Sequence, residues 1–406
     1  MTGRRLALAA AVLLAAPTAV AATLVVRGET VYPVSGPPIA DGVVVVEDGK
    51  IAAVGPAAAV TVPAGAEELS AAVVTPGLVD AHTTVGLTGL LNQAHDQDQL
   101  ERSEPVQPEL RAIDAYNARD PLVDWVRDFG VTTVHTGHGP GELVSGQTMV
   151  VKLRGDEVGD NVLVPAAMVA ASLGETAVHE EGSKPPGTRA KAIAMLRSQL
   201  LAAREYHRKL ETAEPDKRPA RDLRLETLVR VLDGELPLLV TVHRHHDILS
   251  ALRLREEFGL RMVLDGAAEA YLVTDEIRAA GVPVVPHPPM ARAVGELENA
   301  TMELASRLAE AGIPFALQSG FESYVPKVRV LPFEAAIAAA HGLGFERALA
   351  AVTLDAARLL AVDDRIGSLE PGKDADLALW DGDPFEYTSH EIATIVDGVV
   401  VSRTVR

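Results

Sequence analysis

Histidine and aspartate recur at the ends of short apolar segments along this chain. Asp80-Ala81-His82 ends one such segment, and "VHTGHGPG" places His135 and His138 at another. "VHRHHD" carries His243, His245, His246 and Asp247, while Asp265 and His287 end two more. Lys152 stands near the end of a further one. A lone histidine at such a position is ordinarily a satisfied polar residue. Five segment ends that bring imidazole or carboxylate to one edge suit a divalent ion such as Zn²⁺ or Mn²⁺, whose bound water turns nucleophilic near neutral pH. A polar, hydrogen-bonded mouth without an ion is the competing expectation. In the run His243–Asp247, strand alternation sends residues 243 and 245 to one side and 244 and 246 to the other. The run then enters a helix, for which Asp247 is suited as N-cap. His243 is therefore the ligand candidate, and His245 and His246 either line the pocket or solvate the helix start. His95, His179, His207, His341 and His390 fall on loops or helices, where solvent exposure is the ordinary explanation.

The elements that must position these groups follow from hydrophobic periodicity. Apolar runs at 78–82, 131–135, 148–153, 162–168, 238–243, 261–265, 282–287 and 313–318 read as strands. Amphipathic stretches at 189–210, 222–233, 247–258, 296–311 and 346–360 read as helices. Strands alternating with helices over residues 76–361 predict an α/β fold, a (β/α)₈ TIM barrel, whose active site lies at the C-terminal ends of the strands. No clear helix separates the runs at 148–153 and 162–168. Residues 22–75 and 362–406 are different, with β-branched runs punctuated by Asp-Gly turns, as in "DGVVVVEDGKIAAVG" and "VDGVVV". They predict one small composite β-sandwich formed by both chain termini.

Composition narrows the function. The 406 residues are 48% hydrophobic, enough for a large core, and 4% aromatic, so that core is aliphatic. A net charge of −19 argues against nucleic acid as a partner, because phosphate binding needs clustered cations. The absence of cysteine removes thiolate catalysis, zinc–thiolate sites and disulfides. "MTGRR" followed by "LALAAAVLLAAP" and Ala19-Val20-Ala21 reads as a signal peptide, residues 1–21, cleaved after Ala21. An uncleaved anchor is the rival, but roughly 15 apolar residues fall short of the ~20 a span needs. The expected location is the periplasm or the exterior, with no stable membrane anchor after cleavage. A small-molecule substrate is the expected partner, and the sequence leaves open a homo-oligomer.

The segments "DGVVVVEDGKIAAVGP", "VVTPGLVDAH", "GVTTV", "RIGSLEPGKDADLALWDGDP" and "VDGVVV" together resemble the amidohydrolase superfamily, in the order its members use. The likeness covers nearly the whole chain after residue 22 and is strongest to exported members related to imidazolonepropionase and prolidase-like dipeptidases. It implies a metal-dependent hydrolase of carbon–nitrogen bonds: amides, cyclic amides or dipeptides. His82 matches the first histidine of the strand-one pair, but Thr84 stands where the second would be. His243 matches the strand-five ligand, and Asp265 stands where a strand-six histidine is expected. Gly320, or Ser319 with a slip of one, replaces the strand-eight aspartate that orients the attacking water. Lys152 is a poor match to a bridging lysine. The resemblance thus implies a reduced site in which His82, His243 and Asp265 hold one divalent metal, zinc or manganese. His135 or His287 would act as base, and Arg244 with His245 would bind substrate. A metal-free binding protein or pseudoenzyme on the same scaffold is the alternative, and a metal-free lyase or isomerase the third.

Overall fold

The computed structural model describes residues 23–405 apart from 92, 180–182 and 325–326. The expected signal peptide lies outside the described residues. Both chain ends enter one seven-stranded sheet, built from Leu24–Val31, Ile39–Glu47, Lys50–Pro56, Glu67–Pro76, Leu377–Trp380, Glu391–Val396 and Val399–Ser402. The two ends meet where Glu67–Pro76 runs antiparallel to Leu377–Trp380, with Pro76 opposite Leu377 and Val73 opposite Trp380. The Asp-Gly turns behave as the sequence requires: Asp48 and Gly49 have φ of 51° and 76°, and Asp397 and Gly398 have φ of 49° and 72°. The expected sandwich is not seen among the described residues. One face of the sheet buries Val26, Val44, Val74, Leu377 and Ile395. The other, with Val25, Val43 and Val45, is covered by Ala57, Val60, Val62 and Ala66 from a loop, so no second sheet is needed.

Within this sheet Glu391 is buried, and its Oε1 accepts from Thr394 Oγ1 at 2.8 Å. Burial pushes its carboxyl from the ordinary 4.5 up to about 8. An acid raised on folding stabilises the fold below its unfolded pKa and loses that contribution as pH climbs through the folded one. The window here runs from 4.5 to about 8. Glu391→Gln should therefore gain on the wild type in thermal unfolding between pH 5 and pH 8. A Tm difference that stays flat across that range would contradict the burial argument.

The expected barrel wall is present in part. Leu78–Thr83 pairs in parallel with Val131–Thr136. Val169–Ser172, Leu238–Val242, Met262–Gly266 and Val284–Pro286 form a parallel run. Between these groups the expectation fails. Val144–Gln147 is antiparallel to Val169–Ser172, and Met149–Lys152 is antiparallel to Val131–Thr136. Only seven residues connect Thr136 to Val144, whereas a parallel crossover needs about a dozen or more. The chain must turn back. Residues 162–164 pair with Met149–Lys152 instead of joining the wall as a fourth parallel strand. The eighth segment contributes single bridges, Phe315 to Val284 and Gly320 to Thr83. Among the described residues there is thus no continuous eight-stranded barrel, but an α/β wall of two sheets joined by bridges.

Alternation divides the core. Leu238, Val240 and Val242 pack toward the helices, while Leu239, Val263, Val285 and Ala316 meet inside the wall. Thr241, Asp265, His287 and Gln318 follow the inner set two residues later, at the C-terminal edge. Strict alternation after Val79 and Ala81 would aim His82 outward. A register shift between Asp80 and Thr83 breaks that alternation and brings His82 to the inner side. The helix after Leu238–Val242 begins at His245 with Arg244 as N-cap residue, two residues before the expected start at 247. Asp247 is not its cap; its carboxylate accepts from Arg189 at 2.9 Å.

Candidate functional site

At the C-terminal edge of the wall, His82, Thr241, His243, Asp265, His287 and Gln318 line a cavity of about 310 Å³. Its sides are Pro140, Pro288, Ala291, Leu297 and Phe321, with Arg292, Glu322 and Tyr324 at the mouth. Asp265 is the hub. Its Oδ1 stands 3.1 Å from His82 Nδ1 and accepts from Gln318 Nε2 at 2.9 Å, while Oδ2 accepts from Thr241 Oγ1 at 2.6 Å. Burial alone would push this carboxyl up, but the His82 charge and the hydrogen bonds outweigh it and hold Asp265 below the ordinary range. The reciprocal balance holds in His82. Burial disfavours the imidazolium, yet Asp265 overcomes it and raises the ring above the usual value.

Three imidazole nitrogens at this cavity are buried without a hydrogen-bond partner among the described residues: His82 Nε2, His243 Nδ1 and His287 Nε2. Such a group costs about 1–3 kcal/mol when nothing satisfies it, so three around one cavity point to a ligand or water that does. Tautomers follow from the partners. His287 Nδ1 lies 2.9 Å from the Pro288 carbonyl, which can only accept. That nitrogen carries the proton, and Nε2 presents a lone pair. Burial holds His287 down at about 4 and lowers His243 as well, so both rings are neutral near pH 7.

Four of the expected site residues, His82, His243, Asp265 and His287, are brought together. The others are not. His135 is fully buried with Nδ1 on the Ala81 carbonyl at 2.7 Å and Nε2 on Thr148 Oγ1 at 2.6 Å. With both nitrogens engaged and burial pushing it down to about 3, it has no lone pair for catalysis. Arg244 is committed to Glu269 at 2.8 Å and Glu298 at 2.6 Å, and His245 Nδ1 to Glu269 at 2.7 Å. Both sit at the helix start, away from the cavity lining. Lys152 lies against the terminal sheet, paired with Asp374, Asp376 and Asp397. Gln318 and Thr241 were missed. Counting by two from Ala316 and from Leu239 would have placed both at the mouth.

The donor set that the resemblance implies for a metal does not fit. Asp265, the expected third ligand, already accepts three hydrogen bonds. Thr84 is buried against Thr88, 3.3 Å between hydroxyls. Gly320 has φ of 69°, and a Cβ there would meet Pro288 Cγ at 2.9 Å. A Cβ on Gly266 would meet the His243 ring at 2.4 Å. Among the described residues no three His, Asp or Glu side chains stand together in a metal-holding arrangement.

Comparison with known proteins agrees with the α/β fold. Residues 237–406 match the profile of the Amidohydrolase family. Imidazolonepropionase from Rhizobium rhizogenes is 26% identical over 372 residues, covering 84% of this chain and 87% of that protein. Amidohydrolase tasK from Hapsidospora irregularis is 26% identical over 80% of this chain, which spans 36% of tasK's length. Among solved structures, an amidohydrolase from Thermotoga maritima MSB8 superposes with a TM-score of 0.88 at 32% identity. That likeness covers 94% of this chain and 100% of the other. Shared identity at that level across nearly the whole length decides the matter: the chain belongs to the amidohydrolase family, hydrolases of carbon–nitrogen bonds.

Proposed function

We propose that the chain is an exported hydrolase that cleaves an amide, cyclic amide or dipeptide bond of a small molecule in the cavity at His82. The observation that carries this reading is the His82–Asp265 pair, 3.1 Å apart, with His82 Nε2 left unpartnered at the cavity. A positioned imidazole backed by a carboxylate is equipped for acid–base work on a bound substrate. The cavity's size of about 310 Å³ is at the lower end of small-ligand sites, which favours a compact substrate. The His287 lone pair would accept from a substrate N–H, and Pro140, Pro288, Ala291 and Phe321 would enclose its apolar part. A divalent ion, Zn²⁺ or Mn²⁺, would have to be held by imidazole alone, since Asp265 is engaged.

The deciding experiment is a turnover assay of the purified protein on a panel of amides, lactams and dipeptides. Turnover of at least one class is expected. Tight binding with no turnover would instead support a binding protein on this scaffold, a reading favoured by the missing donors at Thr84 and Gly320. Export has its own test. The n-region and the Ala-Val-Ala site predict that the native protein begins at Ala22. Intact-mass measurement finding Met1–Ala21 still attached would reject cleavage.

A further inference from the structure

Arg292 is the one Lys or Arg among the described residues that line the cavity, and it stands exposed at the mouth. Its guanidinium lies over the Tyr324 ring, 4.6 Å from the centre, and makes no ion pair among the described residues. The acid at the mouth is already taken. Glu322 Oε1 accepts from Arg329 Nε at 2.5 Å, and Arg329 Nη2 donates to the Tyr324 hydroxyl at 3.1 Å. Lys327 adds to the positive side: it is buried with its ammonium 5.6 Å from the centre of the Phe321 ring and pairs with no carboxylate among the described residues. In a chain of net charge −19, an arginine kept clear of carboxylates at this cavity runs against the prevailing sign. We infer that Arg292 sets the specificity of the cavity, and that the substrate is a short carboxylic acid whose carboxylate docks on Arg292 while its C–N bond lies among the histidines. The inference takes from the proposed hydrolysis the position of the bond that is cleaved, and rests on that reading to this extent.

The chemistry of the guanidinium selects the ligand. It carries five N–H donors in one plane, and a carboxylate takes two of them side by side. Lying over Tyr324 engages the cation through the ring face and spends none of those donors on a carboxylate. A neutral amide offers only a carbonyl oxygen, without the charge or the second acceptor. The loop that carries Arg292 is also fixed on both sides of it. Met290 N donates to Glu334 Oε2 at 2.8 Å, and Glu296 Oε1 accepts from Arg189 Nη2 at 2.8 Å and from Glu175 N at 2.7 Å. The backbone of the site therefore needs little further ordering when a ligand arrives. A volume of about 310 Å³ restricts the acid to a compact one, of the size of an N-acetylated amino acid or a small dipeptide.

The test sets acids beside their neutral twins on the full mature protein: N-acetylated amino acids and dipeptides, each paired with its primary amide. Wild type should favour the acid by roughly 10–100-fold in kcat/KM, the range for hydrogen bonds to a charged group. Arg292→Met should raise KM for the acid by about that factor with kcat little changed, and leave the amide within about twofold, because the interaction lost is uniform binding. Arg292→Lys should recover part of the preference, since it restores the charge but not the fork. Both variants should melt as the wild type does, Arg292 being exposed and free of ion pairs among the described residues. An equal loss on acid and amide, or a wild type indifferent to the carboxylate, would overturn the inference and leave the hydrolysis reading standing. If no pair is turned over, the hydrolysis reading fails by itself, and calorimetric binding of N-acetylalanine decides the rest. A Kd that weakens about tenfold in Arg292→Met would uphold acid recognition at this cavity. A Kd untouched by the substitution, or no binding to the wild type, would overturn it.

Discussion

His82→Ala is expected to lower kcat by roughly 10²–10⁴-fold, which is about 2.7–5.4 kcal/mol of barrier. His82 lines the cavity with its Nδ1 held 3.1 Å from Asp265 Oδ1. The fold should survive the change. Asp265 would keep Thr241 and Gln318, and the backbone of residue 82 still accepts from Gly320 N at 3.1 Å. The comparison is therefore kinetic: kcat on whichever panel substrate is turned over, beside thermal unfolding of both proteins. A loss of only a few-fold with an unchanged melting profile would move the chemistry away from His82. His135→Ala supplies the contrast, since it should act through stability, its two nitrogens being bonded inside the wall.

The largest expected effect on stability lies far from the cavity. Lys152 is buried, and its ammonium meets Asp374 Oδ2 at 2.8 Å, Asp376 Oδ2 at 3.0 Å and Asp397. It ties the antiparallel segment of the wall to the terminal sheet. In Lys152→Met, Asp374 would keep Lys50 and Arg365, and Asp397 would keep Arg154. The deficit falls on Asp376, which is buried with no other cation beside it among the described residues. Removing one partner of a buried pair costs about 3–5 kcal/mol, mostly the penalty of the charge left behind. The loss should show as a lower midpoint in urea near pH 8. Burial already pushes Asp376 up to about 6. Lys152 holds that value down, so in the variant Asp376 takes its proton at a higher pH; no charge is then stranded, and the gap between variant and wild type should narrow as pH falls from 8 toward 6. A gap that is constant from pH 8 to pH 5 would mean that lost packing, not stranded charge, is the cause.

Local sequence determined much of this protein. Alternation and β-branched runs marked the terminal strands, and Asp48-Gly49 and Asp397-Gly398 marked hairpins through their positive φ. Apolar strands followed by amphipathic helices marked the parallel wall, and the position of His82, His243, Asp265 and His287 at its strand ends was enough to bring them to one cavity. These features depend on residues within a few positions of each other, or on the shared direction of parallel strands. Tertiary structure alone decided what each polar group does. His135 is closed off by Thr148 and Ala81, Arg244 by Glu269 and Glu298, and Lys152 by carboxylates more than two hundred residues away. Asp265 is spent on Thr241, Gln318 and His82. A buried polar side chain takes whatever partner the fold brings within hydrogen-bond reach, and pairing between distant segments leaves no periodic trace in the sequence.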